Sequence, residues 1–191
     1  MNNPMAIRVR DTFRDSVREL KNTRSLAIAA MLLALQIVIR QYVTVNIGGS
    51  LRVGFDYLAL AVSGALFGPF VAMMAGALSD ILAYFLGGAT ATGAYFPGFT
   101  VTALLSGLTY GYAFYKRDVK LLHIIIARLI VTVLLNLGLN TFWLYLMQGN
   151  AVWVNIPMRA LTNAVTFAIS VVLMLPFIRN VRRFLVRVPR R

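Results

Sequence analysis

Three arginines and two aspartates stand where an apolar chain tolerates charge least: Arg40, Arg52 and Arg159, with Asp56 and Asp80. A guanidinium is a planar fork that grips carboxylates through paired, charge-assisted hydrogen bonds, and a carboxylate accepts from an amine or an aminopyrimidine edge. Tyr84 follows Asp80 at i+4, which puts an acid and a phenol on one helix face. Asn136, Asn140 and Trp143 recur at i, i+4 and i+7, a second face carrying amides and an aromatic plate. The stretch "GAYFPGFTVTALLSG", Gly93 to Gly107, sets Tyr95, Phe96 and Phe99 around Pro97 and Gly98. These side chains bind and stack; they do not form a nucleophile with its base. The chain has no cysteine and a single histidine, His123, and carries neither G-x-x-x-x-G-K-[ST] nor H-E-x-x-H. It is read as a non-enzyme without a metal or cofactor of its own.

The elements that must hold these residues are membrane helices. Of 191 residues 59% are hydrophobic and only 13% charged, with a mean hydropathy of +0.75. Uncharged apolar runs long enough to span a bilayer follow one another. They predict six spans at 25–44, 54–69, 70–87, 97–115, 121–147 and 156–178, the second and third sharing a turn at "LFGPF". The expected fold is an all-α membrane protein: six transmembrane helices with cytoplasmic N- and C-termini, preceded by a short amphipathic helix. Residues 1–24 form a basic N-terminal segment, 25–178 the substrate-binding transmembrane domain and 179–191 a basic tail. The first run is too long for a signal-peptide core and is kept as a span.

The net charge of +13 is distributed as a membrane protein distributes it. Fifteen of nineteen basic residues lie in 1–24, in "YKRDVK" and in 179–191, flanking apolar runs, which marks cytoplasmic loops and contact with anionic lipid and excludes nucleic acid as the partner. Within 5–23, Val9, Phe13, Val17 and Leu20 form one face of a helix suited to the membrane surface or to a docking partner. Arg128 is read as a side chain snorkelling to headgroups, and His123 as interfacial.

Arg40, Arg52 and Arg159 break the pattern, because all three map to the outward ends of spans. Asp56 and Asp80 fall in the outward half or near the midplane, where a charge costs roughly 2.5–3.5 kcal/mol unless it pairs or faces a cavity. A purely structural reading pairs Arg40 or Arg52 with Asp56 or Asp80; it still leaves one positive charge unmatched. An outward cavity for an anionic solute uses that charge, with the Tyr95–Phe99 block as its cover and Gly93 and Gly98 as hinges. The plainer reading of that block is a turn in which Pro97 opens a helix.

Ala27, Ala30 and Ala34 place small residues on one stripe of the first span, where another helix can approach closely. With "LRVGFDYLALAVSGALFGPFVAMMAGALSDILAYFL", "TGAYFPGFTVTALLSGLTYGY" and "NTFWL", the chain resembles the substrate-binding S components of energy-coupling factor vitamin transporters, most closely the folate-specific type. The resemblance implies an outward-facing vitamin pocket in a six-helix subunit of the bacterial plasma membrane. It also implies a transmembrane scaffold subunit, contacted through the alanine stripe, and two cytoplasmic ATPases that alone use ATP. Folate, as the implied ligand, suits the residues: Arg40, Arg52 and Arg159 for its carboxylates, Asp80 ahead of Asp56 for the pteridine, and Tyr84, Tyr95, Phe96, Phe99 and Trp143 for stacking. Pantothenate is the alternative within the family, and an autonomous secondary carrier the alternative outside it.

Overall fold

The computed structural model of the chain describes residues 4–43, 45–47, 51–86, 95–149 and 152–187. Helix α1 (Pro4–Glu19) precedes α2 (Thr23–Tyr42); strands β1 (Val45–Ile47) and β2 (Leu51–Val53) follow, then α3 (Asp56–Phe67), α4 (Pro69–Phe85) and α5 (Pro97–Phe114). A long rod then runs through α6 (Leu121–Leu129), a π-helical stretch (Ile130–Leu139) and α7 (Asn140–Gln148), and α8 (Val152–Arg187) ends the described chain.

The helices lie within a few residues of the six predicted runs, because unbroken apolarity and the Gly/Pro breaks mark both. Three of them, over Thr23–Tyr42, Leu121–Met147 and Ile156–Val181, are long and apolar enough to cross a membrane, and α3 and α4 are shorter apolar helices. The all-α expectation needs one addition. Antiparallel β1 and β2 pair Val45 with Val53, Asn46 with Arg52 and Ile47 with Leu51. The sequence "VNIGGSLRV" carries the signal, β-branched residues on both sides of glycines, which a reading by hydropathy passes over. Helix α8 also departs from its predicted bounds, continuing through the basic residues beyond 178 to Arg187 with Pro157 and Pro176 inside it.

Helices α4 and α5 make the most extensive pair. Glycine permits it: a Cβ on Gly76 would strike the Ala103 carbonyl oxygen, and one on Gly107 the Ala72 carbonyl oxygen. Bringing backbones this close maximises dispersion contact where apolar side chains gain little by leaving lipid. Below this pair the core closes around Tyr110 and Phe114, stacked at 5.9 Å, with Ile124, Met174 and Ile178 fully buried.

Helix α1 is amphipathic as expected, but it docks on its own bundle. Phe13 meets Phe70 edge-on at 5.2 Å, while the buried stripe runs through Ser16 and leaves Val17 exposed. Ser16 Oγ donates to the Phe67 carbonyl oxygen at 2.6 Å and accepts from the backbone N–H of Phe70 at 3.0 Å and Val71 at 3.3 Å. It thereby caps the N-terminus of α4 from a distant part of the chain, where Gly68 (φ +89°) makes the turn and has no side chain of its own to do so. Lys116 Nζ, on the loop after α5, donates to Asp15 Oδ2 at 2.7 Å and holds the other side of α1.

Candidate functional site

Helices α2 to α8 enclose a cavity of about 670 Å³, within the range of sites for drug-sized ligands. Of the residues that sequence singled out, Arg40, Asp56, Asp80, Tyr84, Tyr95, Phe96, Phe99, Asn136, Asn140 and Arg159 line it. Trp143 stands just behind: its ring packs on Phe96 at 5.7 Å and its Nε1 donates to Thr102 Oγ1 at 3.2 Å. Arg52 lies on β2, whose pairing brings its backbone opposite Asn46; its side chain falls outside the described part of the structure.

One wall is a relay of charge-assisted bonds. Arg40 Nη2 donates to Asp80 Oδ1 at 2.7 Å, so the structural pairing considered from sequence is present for this arginine. Thr100 Oγ1 donates to Asp80 Oδ2 at 2.8 Å, and Thr100 Oγ1 and Tyr95 Oη lie 2.6 Å apart. Both oxygens of Asp80 are therefore taken by protein, and the chain from α2 to α4 to α5 ties Tyr95 in place. Around Tyr95 the rings of Tyr84 and Phe85 gather at 5.2 and 6.3 Å, and Phe96 meets Phe99 at 6.0 Å.

The Gly93–Phe99 block divides between these observations. Pro97 opens α5, as the turn reading expects. Gly93 lies outside the described residues. Gly98 has a packing reason rather than a hinge's: a Cβ there would strike the rings of Phe96 and Trp143.

Four features of the site escaped the sequence. Arg128 is corrected most sharply: it does not snorkel but is buried, 3% exposed, lining the cavity two turns inside α6. Its Nη1 donates to Tyr110 Oη at 2.7 Å and its guanidinium carbon lies 4.3 Å from the Tyr57 ring centroid. Polar stripes add to it: Thr102, Ser106 and Tyr110 on α5, and Thr162, Asn163 and Thr166 on α8 beside the expected Arg159, each legible as a helical repeat inside an apolar run. Gln36, the sole buried residue of α2, donates from Nε2 to Ser79 Oγ at 2.9 Å. Last, the π-helical stretch widens the turn ahead of Asn140, whose backbone N–H reaches Leu135 O, and an i, i+4, i+7 count assumes no such turn.

Buried polar atoms without a hydrogen-bond partner collect along this lining: Gln36 Oε1, Tyr57 Oη, Arg128 Nε, Asn140 Oδ1 and Arg159 Nε. Leaving such groups unmatched costs about 1–3 kcal/mol each, so a protein tolerates a cluster of them where a solute or water completes the bonds. Among the described residues no group of His, Cys, Asp or Glu has the arrangement of a metal site. The cavity is a polar receptacle in an apolar bundle.

A membrane protein with such a receptacle is a carrier of small solutes or a subunit of one, and the family is shown directly. Residues 24–178 match the model of the ECF transporter substrate-specific component, and the chain belongs to that family, one of transporters rather than enzymes. Among its relatives is a folate transporter FolT of Clostridium novyi (strain NT), 35% identical over 153 residues that cover 80% of this chain and 87% of the relative. A folate transporter FolT of Leuconostoc mesenteroides is 33% identical over 159 residues, 78% of this chain and 82% of the relative. The fold is similar to a crystal structure of FolT bound with folic acid, with a TM-score of 0.69 and 33% identity over 78% of this chain and 88% of that one.

Proposed function

We propose that this protein is the folate-binding subunit of an ATP-driven importer of the bacterial plasma membrane. It captures folate from outside in the cavity and delivers it inward by reorienting with a shared energising module. The observation that carries this reading is the cavity lined by arginines and unmatched polar atoms, in a chain whose relatives are folate transporters. The flat rings of folate suit Tyr84, Tyr95, Phe96, Phe99 and Trp143, its carboxylates suit Arg159 with Arg40 and Arg52, and Asn136 and Asn140 offer amides along its length.

In this reading the six apolar helical segments are six spans, with both termini and the α5–α6 loop cytoplasmic, as their basic flanks require, and the uncharged α3–α4 turn following on the same side. Ala27, Ala30 and Ala34 are all exposed on α2, beside exposed Leu26, Met31 and Leu35, which supports their use against a scaffold subunit. ATP then acts only on partner ATPases, and the subunit needs no cofactor of its own.

Binding of labelled folate and pantothenate to the purified subunit tests the proposal. Tight folate binding with pantothenate bound at least 100-fold more weakly is expected, because pantothenate has one carboxylate and no ring to stack. Tight pantothenate binding with none for folate overturns it.

A further inference from the structure

The charges of α1 are sorted by face. Two of its acids are engaged within the protein: Asp15 Oδ2 accepts from Lys116 Nζ at 2.7 Å, and Glu19 Oε2 accepts from Ser25 Oγ at 2.9 Å. The stripe through Ser16 is buried against the start of α4. The opposite face carries Arg14 and Arg18 at i and i+4, continued by Lys21 in the turn that follows. All three are exposed, and so is Val17 among them. Asp11, also exposed, stands one turn before Arg14 and offsets only part of this charge. Among the described residues none of the three bases forms an ion pair.

A run of exposed bases on a helix usually needs no partner but water. Two features set this one apart. An apolar side chain stands exposed within it, which suits a surface that is anionic outside and apolar just beneath. The helix is also fixed in depth: Ser16 bonds the N–H groups of Phe70 and Val71, and Phe13 packs on Phe70, so α1 lies level with the first turn of the apolar helix α4. In a bilayer that level is the headgroup layer, within reach of long arginine side chains. An acidic protein surface meets the charge alone. Headgroups over acyl chains meet the charge, the valine and the depth.

We propose that the outer face of α1 binds anionic phospholipid headgroups. Arg14, Arg18 and Lys21 donate to phosphate oxygens, and Val17 enters the acyl boundary. In the orientation proposed above this is the inner leaflet, and the binding is independent of what the cavity carries. Helix α1 precedes residues 24–178, which match the family, so the surface belongs to the N-terminal segment of this chain and not to the shared bundle. Bound lipid holds α1 in its seat, because a ligand that prefers one state raises its population.

The test assembles the purified full chain into nanodiscs of phosphatidylcholine, with or without phosphatidylglycerol, and follows chymotrypsin cleavage within α1 by mass spectrometry. Phosphatidylglycerol is expected to slow cleavage of the wild type by about 5-fold or more, and that of the double variant Arg14→Gln/Arg18→Gln by less than about 2-fold. The variant Lys120→Gln/Arg183→Gln removes the same charge from exposed bases elsewhere and is expected to keep the slowing of the wild type. Each comparison is a ratio within one protein, so a variant with looser docking still reports. Equal cleavage of the wild type in the two lipids overturns the proposal. Loss of the effect in both double variants overturns it too, because the response is then to total charge and not to a face of α1. Polyglutamate added to discs of phosphatidylcholine alone is the last arm: protection by it with none by phosphatidylglycerol assigns the face to an acidic protein and overturns the lipid.

Discussion

Arg40 and Arg128 carry the same charge and meet opposite surroundings. Arg40 reaches across from α2 to Asp80 and, through Thr100, fixes Tyr95, whereas Arg128 has a phenol and an aromatic face. The first arrangement is a structural tie and the second a group held ready. Asp80→Ala separates them experimentally. It leaves Arg40 without its acid and Thr100 without its acceptor, so stability falls, by somewhat less than the roughly 3–5 kcal/mol of a fully buried pair because part of Arg40 is exposed. With Tyr95 released, ligand dissociation is expected to quicken about tenfold, visible as the off-rate of labelled folate by stopped flow. An unchanged off-rate would show that the relay does not hold the cover of the cavity.

Among the elements, α1 is the least expected. The family match begins at residue 24, after this helix, yet α1 closes the polar end of α4 by lending it Ser16. Ser16→Ala strands the N–H groups of Phe70 and Val71, a loss of about 0.5–2 kcal/mol in line with other caps. Faster protease cleavage within α1 than in the wild type is the readout, and equal rates would show that other contacts suffice. The Lys116–Asp15 bridge adds a pH dependence to this docking. Its hydrogen bond to Lys116 lowers the Asp15 carboxyl below its ordinary 3.8, so the bridge is intact above that pH and is lost as pH falls through the lowered value. The same bond raises Lys116 above its ordinary 10.5, so the bridge is intact below that pH and is lost as pH rises through the raised value. Cleavage within α1 is therefore expected to stay flat across the neutral range and to rise only at the two extremes. Both partners are exposed, which keeps the effect small beside that of Ser16.

For the whole molecule, the proposed orientation makes a simple prediction, because the chain has no cysteine of its own. Lys116→Cys is expected to react with a membrane-impermeant maleimide only after cells are opened, and Asn150→Cys to react on intact cells. Labelling of position 116 from outside would reverse the orientation and place the basic flanks against the usual bias. The close seating of α4 on α5 through Gly76 and Gly107 gives the bundle a rigid seam, and the cavity lies alongside it, lined by Asp80 and Tyr84 from one helix and by Thr102 and Ser106 from the other.

The helical runs, their breaks at Gly68 and Pro97, the basic flanks and most of the cavity's charged residues were legible in the sequence, because hydropathy and helical spacing are local properties of the chain. Arg128 was misplaced from sequence for a corresponding reason. Seen along its own helix it lies near a membrane edge, and only the packing of α3 and α5 against α6 brings Tyr57 and Tyr110 around it. The same holds for Ser16, whose buried position depends on a turn more than fifty residues away in the chain, and for Asp80, whose partner among several arginines was open until α2 and α4 were seen side by side. The local pattern determined which residues are polar inside the membrane; the tertiary contacts alone decided which of them satisfy one another and which are left for a ligand.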